Sequence, residues 1–410
     1  QNDLSSDSTL QKGDIIGKYG IEKSYDSILR GKNGQVSINN IDKSEQTIAS
    51  VSGNDLYLSI DMNLQQKLFN SMKTKLAKSN LESGGATIMD TNTGEILALV
   101  SFPSFDPNIF TKFLKQSDYS KLLSNPNLPL INKVVSYPVS PGSTFKVVVA
   151  TSAIEEGTIN KDTIFDSTGC ISIDGINKFC EAGKGPLGRL NLEMGLAKSS
   201  NIYFCNVMLK LGIDKLNKYA SIMNLSRKTD IDIPGEVSGT IASKEIKRKV
   251  DKTDWYEGDS CNTAIGQGLT RLTGIQLVNV ASLVANEGAN YVPHLAMLSK
   301  DSNNKTSWEY KISNYIKTPF SPDTFKDIKK GMLAVVNKGG TGYTLKGMPE
   351  NFAIKTGSAE VISKSGNKSA NSFSIGFWPY DDPKYAFSIF LEDGSWGYNS
   401  VEVLKNTFSK

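Results

Sequence analysis

Strand-forming segments stand near both ends of this sequence, with a long stretch of helical and loop-forming residues between them. Close to the start, "ATIMD" and "EILALVS" flank Thr91-Asn92-Thr93-Gly94, a turn composition between two apolar runs, and predict a β-hairpin. Toward the end, "NFAIKTGSAEV", "SFSIGFWPY" and "YAFSIFLED" read as further strands, with a closing helix starting near Ser400. Segments so distant in sequence must meet to bury their apolar faces. The predicted fold class is therefore α/β of the α+β type, with a mixed, mainly antiparallel central sheet flanked by the helices of residues 105–340. Upstream, "LYLSI" alternates like a strand, and Asp61 is placed to cap a helix carrying Leu64, Leu68 and Met72 on one face. Residues 13–55 mix short strands with glycine turns and predict a small β-rich N-terminal module. We expect two domains, 1–55 and 56–410.

Composition narrows the chemistry. With 46 basic and 42 acidic residues the net charge is only +4, which gives no support for nucleic-acid binding. The basic piece "KEIKRKV" (Lys244 to Val250) reads as solvated surface. No run approaches the roughly 20 apolar residues that a membrane span needs. The chain starts with Gln1, ahead of the polar "QNDLSSDSTLQKGD", so a signal or an anchor is expected upstream. His294 is the single histidine, and none of the four cysteines lies in a C-x-x-C pair. A Ser-His-Asp triad or a histidine-rich metal site has almost no material to use. Serine catalysis here must take its base from lysine or a carboxylate.

Three short elements can supply such chemistry. In "YPVSPGSTFKVVVA", Ser143 follows Pro141-Gly142 where a helix can begin, and Lys146 lies one turn on, on the same face. A lysine partly buried near other cations has an accessible neutral form at pH 7 and can take the serine proton. The helix start also offers N–H groups to an oxyanion. The plainer reading is an N-cap serine beside a surface lysine, and Ser302/Lys305 and Ser365/Lys368 match the pattern in polar loops. Only Ser143 precedes an apolar helix. The second element, Ser199-Ser200-Asn201 in "AKSSNIYF", sits between apolar helical segments, an odd place for three polar residues unless they face a cleft. A capped helix start is the alternative. The third, Lys355-Thr356-Gly357-Ser358, is the chain's only K-T-G. Gly357 leaves room for a substrate backbone, Lys355 and Thr356 can bind a carboxylate, and the N–H of Ser358 can bind an acyl oxygen. The alternative is a solvent-facing edge strand guarded by a lysine.

The three occur in the order S-x-x-K, S-x-N, K-T-G, the set that marks penicillin-recognising serine enzymes. The sequence resembles the penicillin-binding proteins, specifically the monofunctional class B transpeptidases. "GIEKSYDSILRGKNG" is similar to the family's G-x-E-x-x-Y-x-x-x-L-x-G stretch ahead of the catalytic domain, and "MDTNTGEILALVSFPSFDPN" to the strand pair that opens it. "CNTAIGQGLTRLTGIQLVNVASLVANEGANYVPHL" resembles its IGQG helix region. "GGTGYTLKG" and "SFSIGFWPYDDPKYAFSIFLED" resemble the segments flanking the third motif, so that residues 13–400 are covered.

The resemblance implies a penicillin-binding/serine β-lactamase-like transpeptidase domain behind an N-terminal linker or pedestal remnant. It implies peptidoglycan stem peptides as substrates: Ser143 attacks the penultimate D-Ala carbonyl of a D-Ala-D-Ala donor, the last D-Ala leaves, and an amine of a neighbouring stem takes the acyl group. β-Lactams would acylate the same serine. By the same resemblance Lys146 is the base, Ser199 relays protons, Asn201 positions the acyl side, Lys355 and Thr356 hold the terminal carboxylate, and the N–H groups of Ser143 and Ser358 form the oxyanion hole, with no cofactor. Partners would be glycosyltransferase, divisome or elongasome proteins, at the extracytoplasmic face of a bacterial membrane to which an N-terminal helix anchors the protein. No glycosyltransferase segment is found, and the N-terminal module is short for the class. Some relatives hold a metal between the first two motifs. Here that stretch has Asp166, Cys170, Asp174 and Cys180, with Lys184 where a ligand is hoped for and no histidine, so no metal is expected. Cys170 and Cys180 are open to a disulfide or to burial as thiols. Cys205 and Cys261 read as core residues or as residues backing the motif sequences beside them, and His294 as structural. A D,D-carboxypeptidase, a β-lactamase and a non-catalytic β-lactam sensor or scaffold share parts of this apparatus.

Overall fold

The computed structural model describes residues 10, 14–110, 115–173, 175, 177–312, 315–363 and 366–409. Asp174, Ser365 and nearly all of "QNDLSSDSTLQKGD" lie outside them. The chain separates into two compact units, one of Gln1–Ser59, Ile231–Pro234 and His294–Ser313, the other of Ile60–Asp230, Gly235–Pro293 and Asn314–Lys410.

The larger unit is organised by a five-stranded sheet in the order Ala353–Ile362, Lys368–Trp378, Tyr385–Leu391, Gly84–Asp90, Ile96–Phe102. Its two edge pairs come from the two ends of the chain, as expected. Every pairing is antiparallel, so the sheet is not mixed: two hairpins supply four strands, and the central pairing of Tyr385–Leu391 with Gly84–Asp90 is antiparallel as well. One face buries Phe387, Ile389 and Leu391 against Leu68, Met72 and Leu76 of the Met62–Lys78 helix and Val401 and Leu404 of the Tyr398–Phe408 helix. Asp61 caps the first of these, accepting from the N–H groups of Asn63 and Leu64. Each fully buried aromatic or aliphatic side chain here contributes about 1.5–3 kcal/mol. The Gly274–Ala285 helix packs on the other face; all its residues are buried, and Thr273 and Gln276 close its start as a reciprocal cap. The region 105–340 is not purely helices and loops, since short strand pairs such as Cys170–Ser172 with Lys178–Cys180 interrupt it.

In the smaller unit, Asp55–Leu58, Ala296–Lys300 and Thr306–Glu309 form an antiparallel sheet. The Asp232 carboxylate accepts from the N–H groups of Leu295 and Ala296 and from the Tyr25 hydroxyl, which fixes one end of that sheet. His294 is buried and stacked 3.6 Å from the Tyr310 ring centroid, consistent with the structural part expected of it. The Gln35–Ile38 and Glu45–Ile48 hairpin is exposed along its length. Residues 20–29 form two short helices, Gly20–Ser24 and Asp26–Leu29, where strands were expected. Their N–H groups find local carbonyl partners at Tyr19, Ile21 and Tyr25, and the Asp26 carboxylate accepts from Gly17 N.

Candidate active site

The three sequence elements converge on one cleft, lined among others by Ser143, Ser199, Asn201, Thr356, Gly357 and Ser358. Ser143 stands in a single 3-10 turn, Gly142–Phe145, that runs directly into the helix Lys146–Glu155. Thr144 closes the turn by donating 2.7 Å to the carbonyl of Pro141. Gly142 N donates 3.1 Å to Gly266 O, so the "IGQG" segment supports the turn from behind. Two glycines bring the edge strand against it. Gly142 has φ +57°, and a Cβ there would lie 2.9 Å from Ser358 O. A Cβ on Gly357 would lie 2.9 Å from Pro141 O. The close approach that Gly357 permits is therefore to the protein's own Ser143 turn, where a substrate backbone was expected.

Neighbouring serines of the second element divide their work. Ser200 is the N-cap of the Asn201–Leu211 helix and accepts 3.0 Å from Tyr203 N, which is the plain helix-start reading. Ser199 has φ +56°, a backbone region that costs a non-glycine residue free energy and is met at functional sites. That twist turns Ser199 O and Oγ toward the cleft floor.

Two fully buried lysines meet there. Lys146 Nζ donates to Ser199 O at 2.6 Å and to Asn201 Oδ1 at 2.8 Å, with Ser199 Oγ at 3.4 Å. Lys355 Nζ donates to Ser199 Oγ at 2.8 Å and to its neighbour's carbonyl, Thr356 O, at 2.8 Å. The Ser199 hydroxyl thus lies between two amines. Among the described residues no hydrogen bond joins Lys146 Nζ to Ser143 Oγ; the second element takes up the amine instead. Lys355 is not a solvent-facing guard, and it sits beneath the surface of the cleft. The Thr356 and Thr341 hydroxyls, hydrogen-bonded to each other, are the groups at that surface.

Removal from water disfavours both ammonium ions. Burial brings Lys146 down to about 7, opposed by the Glu181 carboxylate. Burial, then the charge of Lys146, pushes Lys355 well below the ordinary lysine range. Near neutral pH the site therefore holds an amine able to accept a proton one helical turn from Ser143.

Sequence reasoning missed Glu181. It lies in a loop, "FCEAGKGP", with no periodicity to flag it, yet it is buried against the second element. Both pairs of cysteines are bonded: Cys170–Cys180 across the short hairpin, and Cys205–Cys261 between the Asn201–Leu211 and Glu257–Ala264 helices. Cys205 and Cys261 are core residues as expected, with a bond not foreseen. Among the described residues no group of three or more His, Cys, Asp or Glu is arranged to hold a metal.

Comparison with known proteins agrees with this geometry. The profile of the penicillin binding protein transpeptidase domain matches residues 84–410, and that of the penicillin-binding protein dimerisation domain matches residues 1–58. The chain is 33% identical over 408 residues to the peptidoglycan D,D-transpeptidase MrdA of Escherichia coli K12, covering 93% of this chain and 62% of that protein. It is 31% identical to the MrdA of Acinetobacter baumannii, covering 98% of this chain and again 62% of the relative. The chain thus spans less than two thirds of the length of the curated relatives it matches. Among solved structures, Pseudomonas aeruginosa PBP2 in complex with WCK 5153 superposes with a TM-score of 0.85 at 28% identity, covering 99% of this chain and 84% of that one. Helicobacter pylori PBP2 in complex with MreC gives 0.86 at 29%, covering 99% and 74%.

Proposed function

This chain belongs to the penicillin-binding protein transpeptidase family, and from that premise we propose that it is a serine D,D-transpeptidase acting on peptidoglycan stem peptides. The observation that carries the reading is a buried, easily deprotonated Lys146 held by Ser199 and Asn201 one turn from Ser143, at the floor of an open cleft.

Ser143 Oγ attacks the carbonyl carbon of the penultimate D-Ala as its proton passes to Lys146. The carbonyl oxygen becomes an oxyanion, received by the N–H groups of Ser143 and Ser358. When the intermediate collapses, the C–N bond to the last D-Ala breaks, and the leaving amine takes a proton through Ser199 Oγ, which already touches both lysines. The acyl group rests on Ser143 as an ester. An acceptor amine then attacks, the new amide forms, and the proton returns to Ser143 Oγ. Thr356 receives the donor's terminal carboxylate, with the Lys355 amine behind it. Asn201 holds both Lys146 and the acyl side. A β-lactam follows the first half of this path. Both Glu181 oxygens are occupied by the start of the Asn201–Leu211 helix, so this carboxylate is not disposed to activate a water against the ester. That favours a long-lived adduct over rapid hydrolysis.

Residues 1–55 serve as the linker or pedestal remnant and 56–410 as the transpeptidase domain. The site of action is the extracytoplasmic face of a bacterial membrane, anchored by a segment outside this sequence. The two disulfides suit an oxidising compartment. No helix among the described residues is long and apolar enough to cross a membrane. The likeness to a PBP2 found in complex with MreC supports wall-elongation proteins as partners.

The test is product analysis with a donor peptide ending in D-Ala-D-Ala and an amine acceptor. Release of D-Ala together with a new donor–acceptor amide is expected. Release with water as the only acceptor identifies a carboxypeptidase instead. Fast turnover of a β-lactam identifies a β-lactamase, and a protein that a β-lactam acylates but that, without β-lactam, turns over no donor is a sensor.

A further inference from the structure

The Cys180-Glu181 dipeptide grips the second element from one side. Cys180 O accepts 3.2 Å from Asn201 Nδ2. The buried Glu181 carboxylate accepts from Asn201 N at 2.6 Å, from Ile202 N at 3.2 Å, from Ser167 Oγ at 2.9 Å and from Ser200 Oγ. It thereby satisfies the open N–H groups of the Asn201–Leu211 helix and places a negative charge at its positive end. Its own position is fixed in turn. The Cys170–Cys180 disulfide closes the hairpin immediately before it, and Glu181 N donates 2.9 Å to Gly169 O.

We propose that Glu181 is the positioning residue of this site: its carboxylate holds the Ser199–Asn201 turn in the shape that presents Ser199 O and Asn201 Oδ1 to Lys146. The inference rests on the transpeptidase reading and adds a residue that acts through the Ser199–Asn201 turn. A side chain that only filled space at this point would leave the helix start with unpaired N–H groups. It would also let Ser199 relax from its left-handed conformation, moving both acceptors that hold the Lys146 amine. The titratable groups facing that amine are Glu181, from the disulfide-closed hairpin, and Lys355, from the edge strand. Burial lowers the Lys146 amine and the Glu181 carboxylate opposes it, while the charge of Lys146 in turn helps to push Lys355 down. Removing the Glu181 charge therefore leaves burial unopposed, and the neutral amine persists to lower pH.

The experiment is the rate of Ser143 acylation by a chromogenic β-lactam, measured from about pH 5 to about pH 9 on wild type, E181Q and E181D, with folding followed by thermal melting. In the wild type the acid limb is centred near 7. In E181Q the plateau falls and the midpoint moves about one pH unit lower, as loss of an adjacent opposite charge requires. In E181D, where the charge remains but the carboxylate is withdrawn by one methylene, the midpoint stays and the plateau falls about tenfold. A folded E181Q whose midpoint does not move overturns the proposal whatever its rate. If E181Q does not fold, E181D decides: acylation at the wild-type rate overturns the proposal, and the tenfold loss at an unchanged midpoint upholds it. A wild type that is not acylated at all refutes the transpeptidase reading instead, so the two failures are distinguishable.

Discussion

On one side of the central sheet Ile354 joins Phe387, Ile389, Val401 and Leu404 in an apolar layer, while its neighbour Lys355 points the other way and lies equally buried against Ser199 Oγ. The two faces share one strand and differ in what burial does for them. In the apolar layer it is the source of stability. On the cleft side it works against the folded state, because two amines are taken from water and placed around one hydroxyl. Free energy given up there keeps Lys146 ready to accept a proton near neutral pH. The layer around Ile354 carries the fold alone, whereas around Lys355 burial serves the chemistry, so substitutions at the two places should separate stability from acylation.

The largest expected effect is K146M. Acylation of Ser143 by a β-lactam falls by about 10²–10⁴-fold, the span usual for a lost general base. The melting midpoint holds or rises, because an amine whose charged form is disfavoured has been replaced by an apolar side chain of similar length. Retained acylation, or a clear fall in melting temperature, breaks the contrast between the two faces. G357A comes next. Its Cβ would meet Pro141 O at 2.9 Å and force the edge strand away from the nucleophile turn, with a loss on the order of 10²-fold. Acylation kinetics at saturating β-lactam check this.

pH gives a smaller effect of defined sign. The Lys146 pKa is lowered to about 7, so its neutral form is lost as pH falls through that value, and acylation drops about tenfold for each further pH unit. The same lowering means that the unfolded chain binds more protons than the folded one between about 7 and the ordinary lysine value near 10.4. Stability therefore rises with pH across that window, and K146M should flatten the rise in chemical denaturation. A pH–rate profile flat from about pH 5 to about pH 9 denies Lys146 its role. The smallest effect on acylation belongs to the core face. F387A should cost about 3–5 kcal/mol of stability yet leave the rate per folded molecule unchanged. A matching loss of rate would show that the two faces are not separable.

Much of this was legible in the residues. The strand segments at the two chain ends and the helix capped by Asp61 follow from periodicity and capping chemistry, which are local. The motif serines and lysines stand out because polar residues interrupt apolar runs. What the sequence could not resolve depends on groups that only the fold brings near. The choice between Lys355 as an edge-strand guard and as a buried cation turns on which residue faces it, and Ser199 lies 156 positions away. The roles of Ser199 and Ser200 differ by one backbone angle, invisible in "KSSN". Glu181 sits in a loop without pattern, and only the Cys170–Cys180 hairpin carries it to the start of the Asn201–Leu211 helix. The short helices of residues 20–29 stand in a stretch whose glycines suggest turns between strands.

Intact-mass analysis of the protein after exposure to benzylpenicillin, followed by peptide mapping, bears on all of this at once. A single stable adduct on the peptide carrying Ser143, absent from S143A, is the expected result. An adduct that persists in S143A, or a wild type that gains no mass, contradicts it.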